Sequence, residues 1–576
     1  MLPRVTKPAR YTDGEWNAVH KDHASVRARF ALVYPDAYEV GMSHLGLQIL
    51  YHILNSHPDY LAERAFAPWP DMAQQLRSRG LPLLSLESRT PLREFDVVGI
   101  TLPYELTYTN ILNLLDLAGI PVRAAERDDD DPLVIGGGPG AVNPEPVAEF
   151  FDAILVGEGE DAILEIAEAA ALPDRAAALA SIGEVPGIYV PASYRYTPQG
   201  PGPRGTVAPA NGAPAQIARR FVADLDQAPF PTRQLVPLVE TVHSRVTLEI
   251  MRGCARGCSF CQAHAAYSPR RERSVQTLLR QAEEAVAATG YDEISLLALT
   301  SVDHSAIEEL VSQLVARFGD RGVGVALPSL RADAFSVALA GKIQQVRKSG
   351  LTFAPEAGTD RLRQAINKQI SEDDIFTAAD AAFSSGWHRL KLYFMIGLPT
   401  ETGEDVEGIA DLVNRLVAFG RGALGARRGR LQIAVSIAGF VPKPHTPFQW
   451  VAQDEIEVLA HKQGLLQQGL RDRAVKLSWT DPAVSALEAA ISRGDRRVGR
   501  AIEAAWRLGA TFDSWGEHFS FDRWRQAFDQ VGLDMRDYAN RALAFDEPLA
   551  WDHIACGPGR EALVRQARGA LGQAAG

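Results

Sequence analysis

The chain has 576 residues, 46% of them hydrophobic, and a formal net charge of −12. That length exceeds one ordinary domain, the composition supports several packed cores, and the acidic balance does not mark a nucleic-acid binder. Four cysteines exclude a disulfide scaffold, and their clustering predicts a reducing compartment. The start, from Met1 to Pro8, lacks the apolar stretch of a secretion signal, and no run of about 18 apolar residues exists, so a cytoplasmic protein with no membrane segment is expected.

Residues 1–190 read as strands alternating with helices. Strands are predicted at Phe30–Tyr34, Arg64–Ala67, Asp96–Thr101, Leu133–Pro139 and Ala153–Gly157, with helices over about 43–55, 70–79 and 108–118. This order predicts an α/β, doubly wound parallel sheet, whose ligands sit beyond the carboxyl ends of the strands. Those ends carry Gly136-Gly137-Gly138-Pro139 and Gly157-Glu158-Gly159-Glu160. A triple glycine allows a large ligand to approach the backbone closely, though by itself it more often marks a tight turn. Residues 191–240 are rich in Pro, Gly, Ala and Ser at their start and read as an extended linker.

From 241 to 450 the pattern becomes six strand–helix units. Strands are expected at Val246–Met251, Glu293–Leu299, Val323–Pro328, Leu351–Ala354, Arg389–Ile396 and Leu431–Ala438, with helices between them, including one over 333–349. Six units predict a partial (β/α) barrel with its chemistry at the C-terminal strand ends. Directly after the first strand stands Cys254-x3-Cys258-x2-Cys261. Three thiolates hold three corners of a [4Fe–4S] cluster and leave one iron open. Gly253 and Gly257 let the loop wrap an inorganic core, and Arg252 and Arg256 are expected to offset its charge. Zinc is the alternative, with His264 as the nearby fourth ligand, although structural zinc sites prefer paired C-x2-C units.

Residues 451–576 read as a mostly helical layer covering the barrel, with Trp506, Trp515, Trp524 and Trp551 as packing residues or, alternatively, a stacking platform for bases. Cys556 is isolated there, an inert thiol or one near the reaction site. Arg clusters at 270–273, 427–430 and 493–500 read as solvated faces or anion contacts.

The motif Cys254-x3-Cys258-x-Phe260-Cys261 resembles the signature of the radical SAM superfamily. The resemblance implies that S-adenosylmethionine chelates the open iron and is cleaved reductively to a 5′-deoxyadenosyl radical, with Phe260 beside the adenine. It implies a flavodoxin- or ferredoxin-like electron donor. At the other strand ends, Thr300 and Ser301 occupy the position of a G-G-E motif that binds the methionine amino group. Ser329 and Arg331 fall where relatives contact ribose and carboxylate. Phe353-Ala-Pro-Glu356-Ala-Gly-Thr-Asp-Arg-Leu362 is similar to a segment of cobalamin-type and methylthiotransferase-like members, with Glu356 in the barrel mouth or, alternatively, capping a helix. Ile396 and Gly397 resemble the adenine-facing strand. Lys443 and His445, in a proline-rich loop, are read as shaping that loop.

The N-terminal region looks like the cobalamin-binding domain that precedes many such barrels, with Gly136, Gly137, Gly138, Gly157, Glu158 and Gly159 against the cofactor. His44 is the candidate cobalt ligand. It departs from the usual D-x-H-x-x-G, since Met42 stands for the acid and Leu47 for the glycine, so it reads first as a helix-start residue, with cobalamin bound without a protein ligand below, or a domain that kept the fold and lost the cofactor, as the alternatives. With only Cys556 left over, no second three-cysteine cluster can be built, which argues against sulfur insertion. The leading expectation is cobalamin-dependent methylation of an unactivated carbon. Its rivals are cobalamin-independent radical modification, RNA bases included, and an iron–sulfur and S-adenosylmethionine sensor without turnover.

Overall fold

The computed structural model describes residues 1–210, 212–327, 331 and 351–572. The helix expected over 333–349 and the candidate Ser329 lie outside the described residues. Near the N-terminus, β1 (Ala28–Tyr34), β2 (Tyr60–Phe66), β3 (Val97–Thr101), β4 (Leu133–Gly137), β5 (Ala153–Leu155) and β6 (Ile188–Tyr189) form one sheet. Its order is β2-β1-β3-β4-β5-β6, parallel except for the last pair. Strands buried on both faces read as apolar runs, and β1 is of this kind. Phe30 and Leu32 pack against the helices Leu45–Ser56 and Ala162–Ala170, while Ala31 and Val33 pack against Tyr108–Ala118 on the other face. The strand order reverses direction at β1 and β3, which is where sheets of this topology open a crevice.

The segment expected to be an extended linker carries structure. β7 (Tyr194–Pro198) and β8 (Gly205–Pro209) form an antiparallel hairpin, followed by the short β9 (Ile217–Ala218). Two tyrosines anchor it: Tyr194 is buried, and the Tyr196 hydroxyl donates to Asp495 at 2.7 Å.

The second half is a barrel in two parallel arcs. β10 (Val246–Glu249) leads into a small antiparallel pair, β11 (Met251–Arg252) with β12 (Arg271–Glu272), that closes the cysteine loop. β10, β13 (Glu293–Leu297) and β14 (Gly324–Ala326) make one arc. β15 (Leu351–Glu356), β16 (Arg389–Ile396), β17 (Gln432–Gly439) and β18 (Val475–Trp479) make the other. The six expected strands are present, and β18 adds a seventh from the stretch read as helical. Its Val-Lys-Leu-Ser-Trp alternation is the period of a strand, and β17 supplies the pairing edge.

The C-terminal helices Pro482–Ser492, Val498–Arg507 and Phe521–Gln530 pack on the N-terminal sheet domain rather than over the barrel as expected. The reason lies in Tyr108–Ala118, which buries every residue except Asp116. A helix buried on all sides must be covered on both faces. Ile502, Trp524 and Phe528 supply that cover. Trp69 stacks edge-on with Trp515, and the Trp515 indole donates to Asp36 at 2.8 Å. β19 (Ile554–Ala555) runs parallel to β9 and ties the C-terminus to the junction.

Candidate functional site

The cysteine loop leaves β11 through Gly253, whose φ of +84° and backbone contacts admit no side chain: a Cβ would lie 2.5 Å from the Pro269 carbonyl. Cys254, Cys258 and Cys261 are all half-buried and free. Two bonds fix the loop to the segment after β15. Ser259 donates its amide to the Ile366 carbonyl at 2.9 Å, and Asn367 donates to the Gly257 carbonyl at 2.8 Å. Burial pushes the Cys261 thiol up to about 11 and raises Cys258, which nearby Lys368 and Arg331 pull back down. Thiols in such surroundings ionise readily only when a cation, or a metal, takes the lone pair. His264 lies with Nδ1 3.3 Å from the Cys254 carbonyl and 3.2 Å from the Ser268 hydroxyl. Among the described residues no three His, Cys, Asp or Glu side chains are gathered as ligands of a single metal ion. Three half-buried thiols on one glycine-rich turn, with cationic neighbours, fit a cluster held by three cysteines.

The two arginines inside the motif are paired with carboxylates. Arg252 pairs with Glu160 at 2.7 Å, Glu158 at 3.0 Å and Glu249 at 2.9 Å. Arg256 pairs with Asp303, one bond measuring 2.9 Å. The cations near the thiols are instead Arg331, buried with Nη2 on the Gln369 carbonyl at 3.2 Å, and Lys368, which sequence reasoning missed. Lys368 is 7% exposed and its Nζ lies 3.0 Å from Glu356. No motif announces it; it arrives because the turn after the helix Asp360–Ala365 returns to the cysteine loop.

Glu356 ends β15 with φ +70°, an uncommon and strained backbone for a residue with a side chain. Burial raises its pKa against the pull of Lys368. It is not a helix cap, because Thr359 caps Asp360–Ala365. Phe260 and Met395 join one apolar cluster with Leu398 and Phe440 at the barrel mouth. Ile396, expected to face the adenine, is instead wholly buried among the outer helices, since strand alternation turns Met395 inward. Gly397 has φ +78° and donates its amide to Glu401 at 2.8 Å. Ser301 is also not free to face a ligand: it is fully buried and donates to the Leu296 carbonyl at 3.1 Å, with Thr300 buried beside it.

Beside the cysteine loop a cavity of about 540 Å³ separates the sheet's carboxyl edge from the barrel. His44, Gly136, Gly137, Gly138, Gly157, Glu158 and Gly159 all line it. The opposite wall includes Thr247, Glu249, Ser295 and Tyr267 of the barrel half. Part of its lining is apolar, from the sheet (Leu32, Ile135) and the helices (Leu50, Ile166). The glycines differ in why they are glycines. Gly157 has φ +117° and would clash with the Arg220 carbonyl at 2.1 Å. Gly136 is crowded by Phe151 and Leu102, and Gly138 has φ +115°. Gly137 alone of the three meets only ordinary contacts, with Leu155 at 3.8 Å, so the protein's own packing leaves room there for a side chain.

His44 is the N-cap of Leu45–Ser56: its Nδ1 accepts the Leu47 amide at 3.2 Å. Gly46 makes room for the ring, since a Cβ there would sit 2.8 Å from His44 Cε1. Burial lowers the His44 pKa to about 4, so the ring is neutral at pH 7 with its proton on Nε2. Nδ1 is thus engaged as the helix cap, the helix-start role that the sequence also offers.

Glu158 holds the two halves together. It accepts two bonds from Arg271, at 2.7 and 2.8 Å, and one from the Val222 amide at 2.8 Å. Two basic clusters are therefore absorbed internally: Arg271 by Glu158, and Arg496 and Arg497 by Glu145 and Asp495. Lys443 is held between Glu105 at 2.8 Å and Glu488 at 2.9 Å, and His445 Nε2 meets the Val142 carbonyl at 2.9 Å, so both tie the loop to other elements. Trp524 and Trp551 are buried and donate to Asp513 and Gln449, which makes them packing residues. Cys556 is buried beside the helix Ala263–Tyr267, its thiol pushed up to about 12.

Two family models match the chain. Residues 248–413 match the family model of the radical SAM superfamily, and residues 46–191 match that of radical SAM proteins, N-terminal. The chain belongs to the radical SAM superfamily. It is 26% identical over 507 residues to an uncharacterized protein, MJ0966, of Methanocaldococcus jannaschii, covering 87% of this chain and 97% of that one. In fold it matches the cobalamin-dependent S-adenosylmethionine radical enzyme OxsB with aqua-cobalamin and S-adenosylmethionine bound, at TM-score 0.50 and 13% identity over 94% of this chain and 78% of that chain. The radical S-adenosylmethionine methyltransferase TsrM from Kitasatospora setae, with cobalamin and a [4Fe-4S] cluster bound, aligns at TM-score 0.49 and 16% identity over 75% of each chain. No helix among the described residues is long and apolar enough to cross a membrane.

Proposed function

We infer that the protein is a cobalamin-dependent radical SAM enzyme that methylates an unactivated carbon. The observation that carries this reading is the cavity whose one wall is the glycine edge of the N-terminal sheet and whose other wall is the inner side of β10, the strand leading into the cysteine loop. When bound, a [4Fe–4S] cluster and S-adenosylmethionine supply an electron and a 5′-deoxyadenosyl radical, and cobalamin supplies a methyl group.

The chain's own residues then have separate tasks. Cys254, Cys258 and Cys261 hold the cluster. Glu356, Lys368 and Arg331 form a polar wall beside it, suited to the zwitterionic amino-acid end of S-adenosylmethionine. Phe260 and Met395 offer the apolar face for its adenine. Gly137 would leave space for the corrin edge, the apolar part of the lining would suit the nucleotide tail, and His44 would line the cofactor's side of the cavity. Arg252 and Arg271, clamped on Glu158, keep the junction closed to water, which protects a radical from quenching. A flavodoxin- or ferredoxin-like protein is the fitting electron donor.

The test is anaerobic. The cluster is reconstituted, hydroxocobalamin is added, and excess is removed. Stoichiometric cobalt retention and reductant-dependent release of 5′-deoxyadenosine are the expected results. An intact iron–sulfur spectrum with no retained cobalt would sink the methyl-transfer reading.

A further inference from the structure

Strand alternation divides β16 cleanly. Leu390, Leu392 and Phe394 are buried against the outer helices, while Arg389, Lys391 and Tyr393 are exposed on the inner side of the barrel. The parallel register carries that side across the arc: Lys391 stands opposite Ala434 of β17, and Ala434 stands opposite Lys476 of β18. Lys476 is therefore on the same concave face as Lys391, two strands away, roughly 10 Å across the sheet. Lys391 Nζ lies 4.5 Å from the centre of the Tyr393 ring.

The charge on this wall is one-sided. β15, β16, β17 and β18 together hold three cations and one carboxylate, Glu356, which already pairs with Lys368. Among the described residues, Arg389, Lys391 and Lys476 have no ion-pair partner, and Lys391 meets only the face of the Tyr393 ring. A solvated surface mixes signs, whereas a concave wall of one sign concentrates field and attracts its counter-ion.

We propose that Arg389, Lys391 and Lys476 are an anion site inside the barrel that takes the phosphate group of a phosphorylated substrate. Thr352, the β15 partner of Lys391, precedes Glu356 by four residues, about 13 Å at ~3.3 Å per residue. An extended substrate anchored at the lysines thus reaches the barrel mouth with its other end. The position of the reacting carbon rests on the proposed function; the anion site does not.

The experiment is calorimetric titration of the full chain with inorganic pyrophosphate at fixed ionic strength. Wild type is expected to bind, and Lys391→Met and Lys476→Met each to weaken binding about tenfold or more. Lys391→Arg should keep most of it. Arg280→Gln, an exposed cation on an outer helix, should leave it unchanged. Circular dichroism checks that each variant folds. Failure of wild type to bind, indifference of binding to both lysine changes, or an equal loss in Arg280→Gln would each overturn the proposal. Because the readout is anion binding and not turnover, a failed cobalamin or radical assay leaves this result standing.

Discussion

Glu158 faces Arg271 across the junction of sheet domain and barrel through two hydrogen bonds of 2.7 and 2.8 Å, both side chains being about 7% exposed. Removing one partner of a buried pair leaves the other charge uncompensated, at about 3–5 kcal/mol. Glu158→Gln should lower unfolding stability by that order in urea. The Arg271 and Arg252 guanidiniums hold the Glu158 carboxyl below its usual range despite burial. A depressed folded value means that this stabilisation is present above the unfolded carboxylate range and is lost as pH falls through the folded value. The Gln variant should accordingly show a flatter stability profile at acid pH.

Histidines titrate in the opposite sense to what a paired histidine would give. Burial lowers His445 to about 4. Between that value and an unfolded pKa of about 6.5 the unfolded chain binds the extra proton, so stability falls as pH drops through this window. The loss for His445 is about 3 kcal/mol at ~1.4 kcal/mol per pH unit. Urea unfolding at pH 7 and pH 4.5 should show it, and His445→Gln should reduce the difference.

Gly137 is the glycine that the protein's own packing does not demand. Gly137→Val should fold with near-normal stability yet retain less than a tenth of the cobalamin retained by wild type. Unfolding curves and bound cobalt measure the two effects separately. Equal retention would remove Gly137 from the cofactor face.

If His44 is a helix cap and not a ligand, the cob(II)alamin form of the protein should show no nitrogen splitting from a protein imidazole in its EPR spectrum. His44→Asn, which can still cap the helix, should leave that spectrum unchanged. A nitrogen-split signal lost in His44→Asn would restore the ligand role.

Lys368 and Glu356 pair at 3.0 Å beside the thiols. Lys368→Met should weaken S-adenosylmethionine binding about ten- to a hundredfold, the span of one charge-assisted hydrogen bond, with iron and sulfide content unchanged. Equilibrium binding to the reconstituted protein reads this directly. Cys258→Ala, in contrast, should abolish cluster uptake.

Local chemistry was legible along the chain wherever the signal was short-ranged. The three cysteines with Gly253 and Phe260 declare their loop, because ligand spacing and backbone freedom are properties of neighbours in sequence. The apolar runs of β1 and the alternation of β16 declare strands for the same reason. The glycine-rich turns announced a crevice, and all of their residues line one cavity.

Other features depended on which distant segments meet. Arg252 looked like a counter-charge for the cluster until Glu158 and Glu160, nearly a hundred residues earlier in the chain, were found within 3.0 Å. Lys368 belongs to no motif and acquires its place from the return of the chain after β15. β18 needed the edge of β17 to become a strand, and Ile396 was turned away from the mouth by alternation that only the packed helices fix. The sequence by itself determined the cofactor-bearing loop and the alternation of elements, because both are set within a few residues. Tertiary structure alone decided which charges neutralise one another and which side chains face the cavity, because electrostatics and burial act through space and not along the chain.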